Sequence, residues 1–210
     1  MGNPRYRNGF GLTLHWDLID LPLRWPSGQM ILVNSMSDLF HESIPLDFVK
    51  STFETMAKAR SSTFQILTKR TRRVLELVGE LGWSSNIWIG ASVESEDYVS
   101  RVADLKSVPA KIRFLSCEPL LGPVHLDLRE INWVIVGGES GPGARPMDIR
   151  WVRSVRNQCA EARVPFFLKQ LGGAIDKRSG ERAILDGKLW KELPSKVEKQ
   201  SDLPRLQRYV

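Results

Sequence analysis

The chain has 210 residues, of which 42% are hydrophobic and 26% charged, and it carries a formal net charge of +6. That is enough apolar chain for one substantial folded domain, and it excludes a disordered or fibrous polypeptide. No run of about 18 apolar residues is present to span a membrane, and the first residues lack the basic-then-apolar order of a signal peptide.

The elements follow in chain order. A first apolar run, MILVNS (30–35), precedes a helical stretch over 44–59 in which Phe48, Phe53 and Met56 share a face. FQILTK (64–69) leads to a second helical stretch, 71–81, with Val74, Leu75, Val78 and Leu81 as its apolar positions and Gly82 as its stop. NIWIGASV (86–93) leads to a helix over 96–105 with Ser95 as candidate cap. KIRFLS (111–116) is followed by a link, 119–131, whose prolines and glycine predict a loop. WVIVGG (133–138) runs into a glycine-rich turn and then a helix over 148–162, capped by Asp148, with Ile149, Val152 and Cys159 inward. VPFFLK (164–169) closes the series.

Beyond Leu171 the character changes to polar, charged and turn-rich. Residues 1–173 are read as one domain and 174–210 as a polar surface extension with a frayed end. A hairpin is expected around 176–189, with turn signals at Ser179-Gly180 and Asp186-Gly187.

The six runs are short, rich in Ile, Val, Phe and Trp, and show no sustained in–out alternation, as strands do when both faces are buried. Strand and helix in alternation give an α/β fold with a parallel sheet and right-handed crossovers. A partial barrel and an open doubly wound sheet both fit that pattern. In either, the carboxyl ends of all strands share one rim, and functional sites are built there. This rim is expected to hold Asp38, Glu94, Glu118 and Glu139, facing Lys69, Arg70 and Lys169. Buried charges of mixed sign must pair, and clefts that gather them are often functional.

The loop WVIVGGESGPGARPM (133–147) departs from the known phosphate-binding patterns. Ala144 and Arg145 stand where a Walker loop needs Lys then Ser or Thr, and Pro146 spoils a dinucleotide fingerprint. What remains is a strand and a tight turn whose backbone a ligand could approach at Gly137, Gly138, Ser140 and Gly141. His15, His41 and His125 are isolated, and no metal-ligand spacing is present. The two cysteines, Cys117 and Cys159, are too few and too far apart for a disulfide framework, and fit free thiols in the cytoplasm.

Taken together, VNSMSDLFHE (33–42), FQILTKR (64–70), IGASVES (89–95), FLSCEPLLGP (114–123), WVIVGGESGPGARPM and PFFLKQLGG (165–173) resemble a family of uncharacterised phage and prophage proteins. Longer members of that family begin with a three-cysteine loop and look like radical S-adenosylmethionine (SAM) enzymes. The resemblance implies an incomplete parallel (β/α) barrel, radical-SAM-like and missing its first strand, with an exposed sheet edge. It implies SAM as a cofactor, and an iron–sulfur cluster only in a longer form carrying the three cysteines. In that reading Asp38, Lys69, Glu94, Glu118, Glu139 and Lys169 are the catalytic candidates, and Gly137, Gly138, Ser140 and Gly141 contact the cofactor.

Two other readings stay open. A nucleic-acid-binding accessory protein would use Arg70, Arg72, Arg73, Arg150, Arg153 and Arg156 on phosphates. A truncated remnant of a longer gene would have no activity. The positive charge also suits a small anionic ligand.

Overall fold

The computed structural model describes residues 11–34, 37–173, 183–194 and 207–208. Six strands form one parallel sheet: β1 (Met30–Val33), β2 (Thr63–Thr68), β3 (Ile87–Ser92), β4 (Arg113–Cys117), β5 (Trp133–Gly137) and β6 (Phe166–Gln170). Their spatial order is their chain order. That monotonic order decides between the two architectures left open by the sequence. Same-handed crossovers taken in one direction put every helix on one face, so the sheet curls instead of being covered on both sides. The result is a half-barrel with flanking helices.

Among the described residues, four α-helices cover the outer face: α1 (Leu46–Lys58), α2 (Thr71–Leu77), α3 (Ser100–Lys106) and α4 (Ile149–Ala162). Val49, Phe53 and Met56 of α1 and Val152, Val155 and Cys159 of α4 recur at helical spacing, and all join the main core beneath the sheet. Asp148 caps α4, accepting the Arg150 amide at 2.8 Å. The second helical stretch tightens into a 3₁₀ turn at Val78–Glu80, before the expected stop at Gly82. The third opens with a 3₁₀ turn, Glu96–Tyr98, and Ser95 makes no side-chain cap. The 119–131 link contains no helix, yet Leu120, Val124, Leu128 and Ile131 fill the core where a helix would lie.

The inner face carries a second, aromatic cluster. Trp133 lies at its centre, with ring centroids 6.4 Å from Trp88, 5.9 Å from Phe114 and 5.8 Å from Phe167. Gly90 is the register partner of Phe114, and a methyl group on Gly90 would overlap the Phe114 ring. Trp88 and Trp133 are both buried here.

Both edges of the sheet are occupied, which corrects the expectation of an exposed edge beside β1. A short strand, β9 (Gln207–Arg208), pairs with β1 in parallel, Ile31 opposite Gln207. At the other edge, residues 190–192 run antiparallel to β6. The Leu168 amide donates to the Trp190 carbonyl at 2.9 Å, and the Glu192 amide to the Phe166 carbonyl at 3.2 Å. Within the stretch read as a surface extension, Ala183 and Leu185 are therefore core residues. The hairpin is shorter than expected, β7 (Ile184–Leu185) against β8 (Lys188–Leu189). Its turn is Asp186-Gly187, with φ of 53° and 74°, the double positive φ of a type I′ turn. The Ser179-Gly180 turn lies outside the described residues. Among the described residues, no helix is long and apolar enough to cross a membrane.

Two outcomes follow. Gly90→Ala should destabilise the protein by about 1–3 kcal/mol through overpacking against Phe114. Adding Phe114→Leu should recover part of that loss in urea unfolding; a purely additive double variant would refute the packing argument. The hairpin is tied to α4 by Asp186, which accepts from Arg153 at 2.8 Å and from Arg156 at 2.6 Å. Those two guanidiniums hold the Asp186 carboxyl below the usual aspartate range. A depressed folded pKa gives a contribution that is complete above about pH 4 and lost as pH falls through the folded value. Amide-exchange protection of 183–190 should therefore exceed that of Asp186→Asn at pH 6, and the difference should shrink as pH falls below about 4. A pH-independent difference would assign the effect to the turn, not the charge.

Candidate functional site

On β3, β4 and β6 the inner face changes from aromatic to polar toward the carboxyl end. On β3 the inner series is Trp88, Gly90, Ser92 and then Glu94; on β4 it is Phe114, Ser116 and Glu118; on β6 it is Phe167 and Lys169. Ser92 and Ser116 are register partners, so the transition falls at one level on β3 and β4.

Glu94 is the most buried of the rim acids, its side chain 6% exposed. It is held by two cations: Lys69 Nζ lies 2.5 Å from one oxygen, and Arg101 donates to the other at 2.9 Å. Arg101 also donates to the Ser92 carbonyl at 2.7 Å, which fixes its guanidinium. A buried carboxylate with one partner is costly; two donors on separate oxygens satisfy it.

Glu118 forms the second centre. Ser116 donates to one oxygen at 3.0 Å, and Lys169 Nζ lies 2.7 Å from the other. The pair spans from β4 to β6, across the end of β5, which is Gly137. A Cβ at Gly137 would sit 2.9 Å from the Glu118 oxygen that faces Lys169, and 3.2 Å from Glu118 Cγ. Gly137 is thus the gap through which Glu118 reaches the far strand.

Lys191 adds a second amine here. It donates to the Leu168 carbonyl at 2.6 Å and lies 4.3 Å from the Phe167 ring centroid. Burial pushes its ammonium below the usual lysine range; Lys169 acts in the same direction and Glu118 opposes.

Asp38 has a different part. It accepts from the Thr68 hydroxyl at 2.8 Å, the Lys69 amide at 3.0 Å, the Phe40 amide at 3.0 Å and Arg70 at 3.1 Å. This knot joins the loop after β1 to the end of β2 and so aims Lys69 at Glu94. Glu139 stands apart: it pairs with Arg145 at 2.7 Å, and that side chain and its amide hold the carboxyl below the usual range.

The glycine loop after β5 is zipped to the loop after β6. The Gly138 amide donates to the Gln170 carbonyl at 3.0 Å, the Gly173 amide to Glu139 at 2.9 Å, and the Gly141 amide to Gly173 at 3.3 Å. Ser140 and Gly173 form an isolated bridge. Gly138 has no room for a Cβ against the Leu171 carbonyl, and at Gly172 (φ 85°) a Cβ would meet the Glu139 carbonyl at 2.5 Å. Close backbone approach, not a phosphate, accounts for these glycines. The Gly138 and Gly141 amides are already engaged.

Of the residues named from sequence, the structure joins Lys69 with Glu94 and Glu118 with Lys169, places Asp38 behind Lys69, and leaves Glu139 in a local pair. Arg101 and Lys191 were not foreseen. Arg101 sits in a foreseen helix but carries no pattern that marks it, and Lys191 lies in the stretch read as surface. The arginines considered for nucleic acid mostly have acidic partners: Arg70 with Asp38 and Glu42, Arg150 with Asp148, Arg153 and Arg156 with Asp186.

No curated protein and no solved structure matches the chain. One family model does, described as "Protein of unknown function (DUF5131)", and it covers residues 3–194. A match over that much of the chain, holding every strand of the half-barrel and every charge pair of its rim, makes the protein a member of the DUF5131 family.

Proposed function

We propose that the protein binds a small zwitterionic molecule of the amino-acid type at the strand-end rim, with SAM the first such ligand to test. Lys69 and Lys169 take its carboxylate or other anionic groups. Glu94 and Glu118 take its ammonium or hydroxyl groups, or carry a proton. Asp38 positions Lys69, Glu139 stands at the margin of the site, and Gly137, Gly138, Ser140 and Gly141 form the wall on the β5 side.

One observation carries this reading. In both rim pairs the carboxylate is more buried than its lysine: 6% against 57% exposed for Glu94 and Lys69, and 17% against 39% for Glu118 and Lys169. A ligand bearing both charges can displace each lysine from its carboxylate and pair with both. No charge is left unmatched in the exchange, so the cost of opening the internal pairs is offset.

The likeness to phage and prophage proteins, and through their longer members to radical SAM enzymes, supports the same rim. It does not extend to the cluster. Cluster ligands must be thiolates close together on one loop. Here Cys117 lies on β4 and Cys159 on α4, both buried beneath the sheet. Burial pushes the Cys117 thiol well above its usual range and that of Cys159 up to about 12. Neither is a cluster ligand, and these 210 residues hold no other cysteine.

SAM should bind to the full chain by calorimetry and raise its thermal midpoint. Lys169→Met and Glu118→Gln should each weaken binding about ten- to a hundredfold, the loss of one charge-assisted contact. Arg150→Ala, on the outer helix, should bind as wild type. Absence of binding by SAM and by methionine, or equal binding by all variants, would remove the proposal.

A further inference from the structure

Outside the rim, a cleft of about 390 Å³ opens between the β2–α2 turn and α3. Five cations line it: Lys69, Arg70, Arg72, Arg73 and Arg101. Three carboxylates, Glu42, Glu76 and Asp104, line it with them, while Glu94 and Asp38 behind the wall already hold Lys69, Arg101 and Arg70.

Arg72 and Arg73 are the lining cations least engaged by carboxylates. Glu42 accepts from Arg70 at 3.0 Å, and Asp104 accepts from the Thr71 hydroxyl at 2.7 Å. Among the cations, Arg72 touches Asp104 only at 3.5 Å, and its side chain is 84% exposed. Arg73 gives one N–H to the Ile44 carbonyl at 2.7 Å, while its buried Nε has no acceptor. A guanidinium offers five donors in a fixed fork, so both arginines retain capacity that nothing in the cleft uses.

From these two under-used guanidiniums we infer that the cleft binds the phosphate group of a small phosphorylated molecule. A phosphate at neutral pH carries a charge of about −1.5 to −2 and three strong acceptor oxygens, which suits an arginine fork. The volume lies at the lower end of the range for small-molecule sites, about 300–1,000 Å³, and suits a sugar phosphate or nucleotide better than a polymer. Lys69 borders both the cleft and the rim, so an occupant of the cleft lies beside Glu94. The inference does not rest on the rim ligand, because Arg72 takes no part in either rim pair.

Inorganic pyrophosphate is the probe, titrated into the full chain by calorimetry, with sulfate as the comparison anion and Arg72→Ala and Arg150→Ala as variants. Both arginines are highly exposed, so neither change threatens the fold. Pyrophosphate should bind, Arg72→Ala should weaken it about tenfold, and Arg150→Ala should leave it unchanged. Absence of binding overturns the inference. So does equal weakening by both variants, which would mark a general counter-ion effect, or sulfate binding as tightly as pyrophosphate. Single-stranded DNA that binds with a steep salt dependence and is not displaced by pyrophosphate would assign these arginines to nucleic acid instead, and also overturns it.

Discussion

Glu118 and Lys169 belong to strands that are not neighbours, and they meet because the strand between them ends in a residue without a side chain. The arrangement depends first on the parallel order of the sheet, which brings all six strand ends to one level. It depends next on Gly137, where a Cβ would stand 2.9 Å from the bridging Glu118 oxygen. A carboxylate that is 17% exposed and deprived of its lysine would be an unpaired charge at the margin of an aromatic cluster, a state that costs several kcal/mol. The same loop meets a second steric demand at Gly138, which lies against the Leu171 carbonyl. The paired glycines after β5 thus serve two ends: one clears a path for a side chain, the other lets two backbones close on each other.

Around this pair the molecule is organised by supports from other elements. Asp38 ties two loops together and orients Lys69; Arg101, on α3, is locked by the Ser92 carbonyl before it reaches Glu94. From the opposite edge, residues 183–194 bring Lys191 to the Leu168 and Lys169 carbonyls, and their place is held by the pairing of Asp186 with the α4 arginines, by Leu185 in the core and by backbone pairing with β6. The rim is therefore a set of charges fixed by helices and loops on the outer side of the sheet. A ligand that enters exchanges partners with groups that are already in position, which lowers the ordering cost of binding.

Much of this was legible in the amino-acid order. Six short apolar runs separated by helical periodicity specify parallel βα units, and that topology alone places Glu94, Glu118 and Lys169 on one rim. Asp148 as a cap and Asp186-Gly187 as a turn were also visible, because both are local backbone effects. What escaped were contacts between segments distant in sequence. Lys191 meets its partners 22 and 23 residues away, through a stretch whose polar composition hides two core positions. The pairing of Gln207–Arg208 with β1 leaves no pattern in so short a segment. Gly137 could be recognised as a turn glycine, but the charge pair that crosses it could not, since a missing side chain carries no sign of what occupies its space.

The central claim, that a glycine gap lets two charges join across a strand, can be read out by zero-length coupling. Carbodiimide treatment of the full chain, followed by peptide mass spectrometry, links only those lysines and carboxylates already in contact. Isopeptide bonds are predicted between Lys69 and Glu94 and between Lys169 and Glu118, and Gly137→Ala should lower the yield of the second while sparing the first. An unchanged yield of the Lys169–Glu118 product in Gly137→Ala, or Lys169 coupled chiefly to other carboxylates in the wild type, would contradict the account.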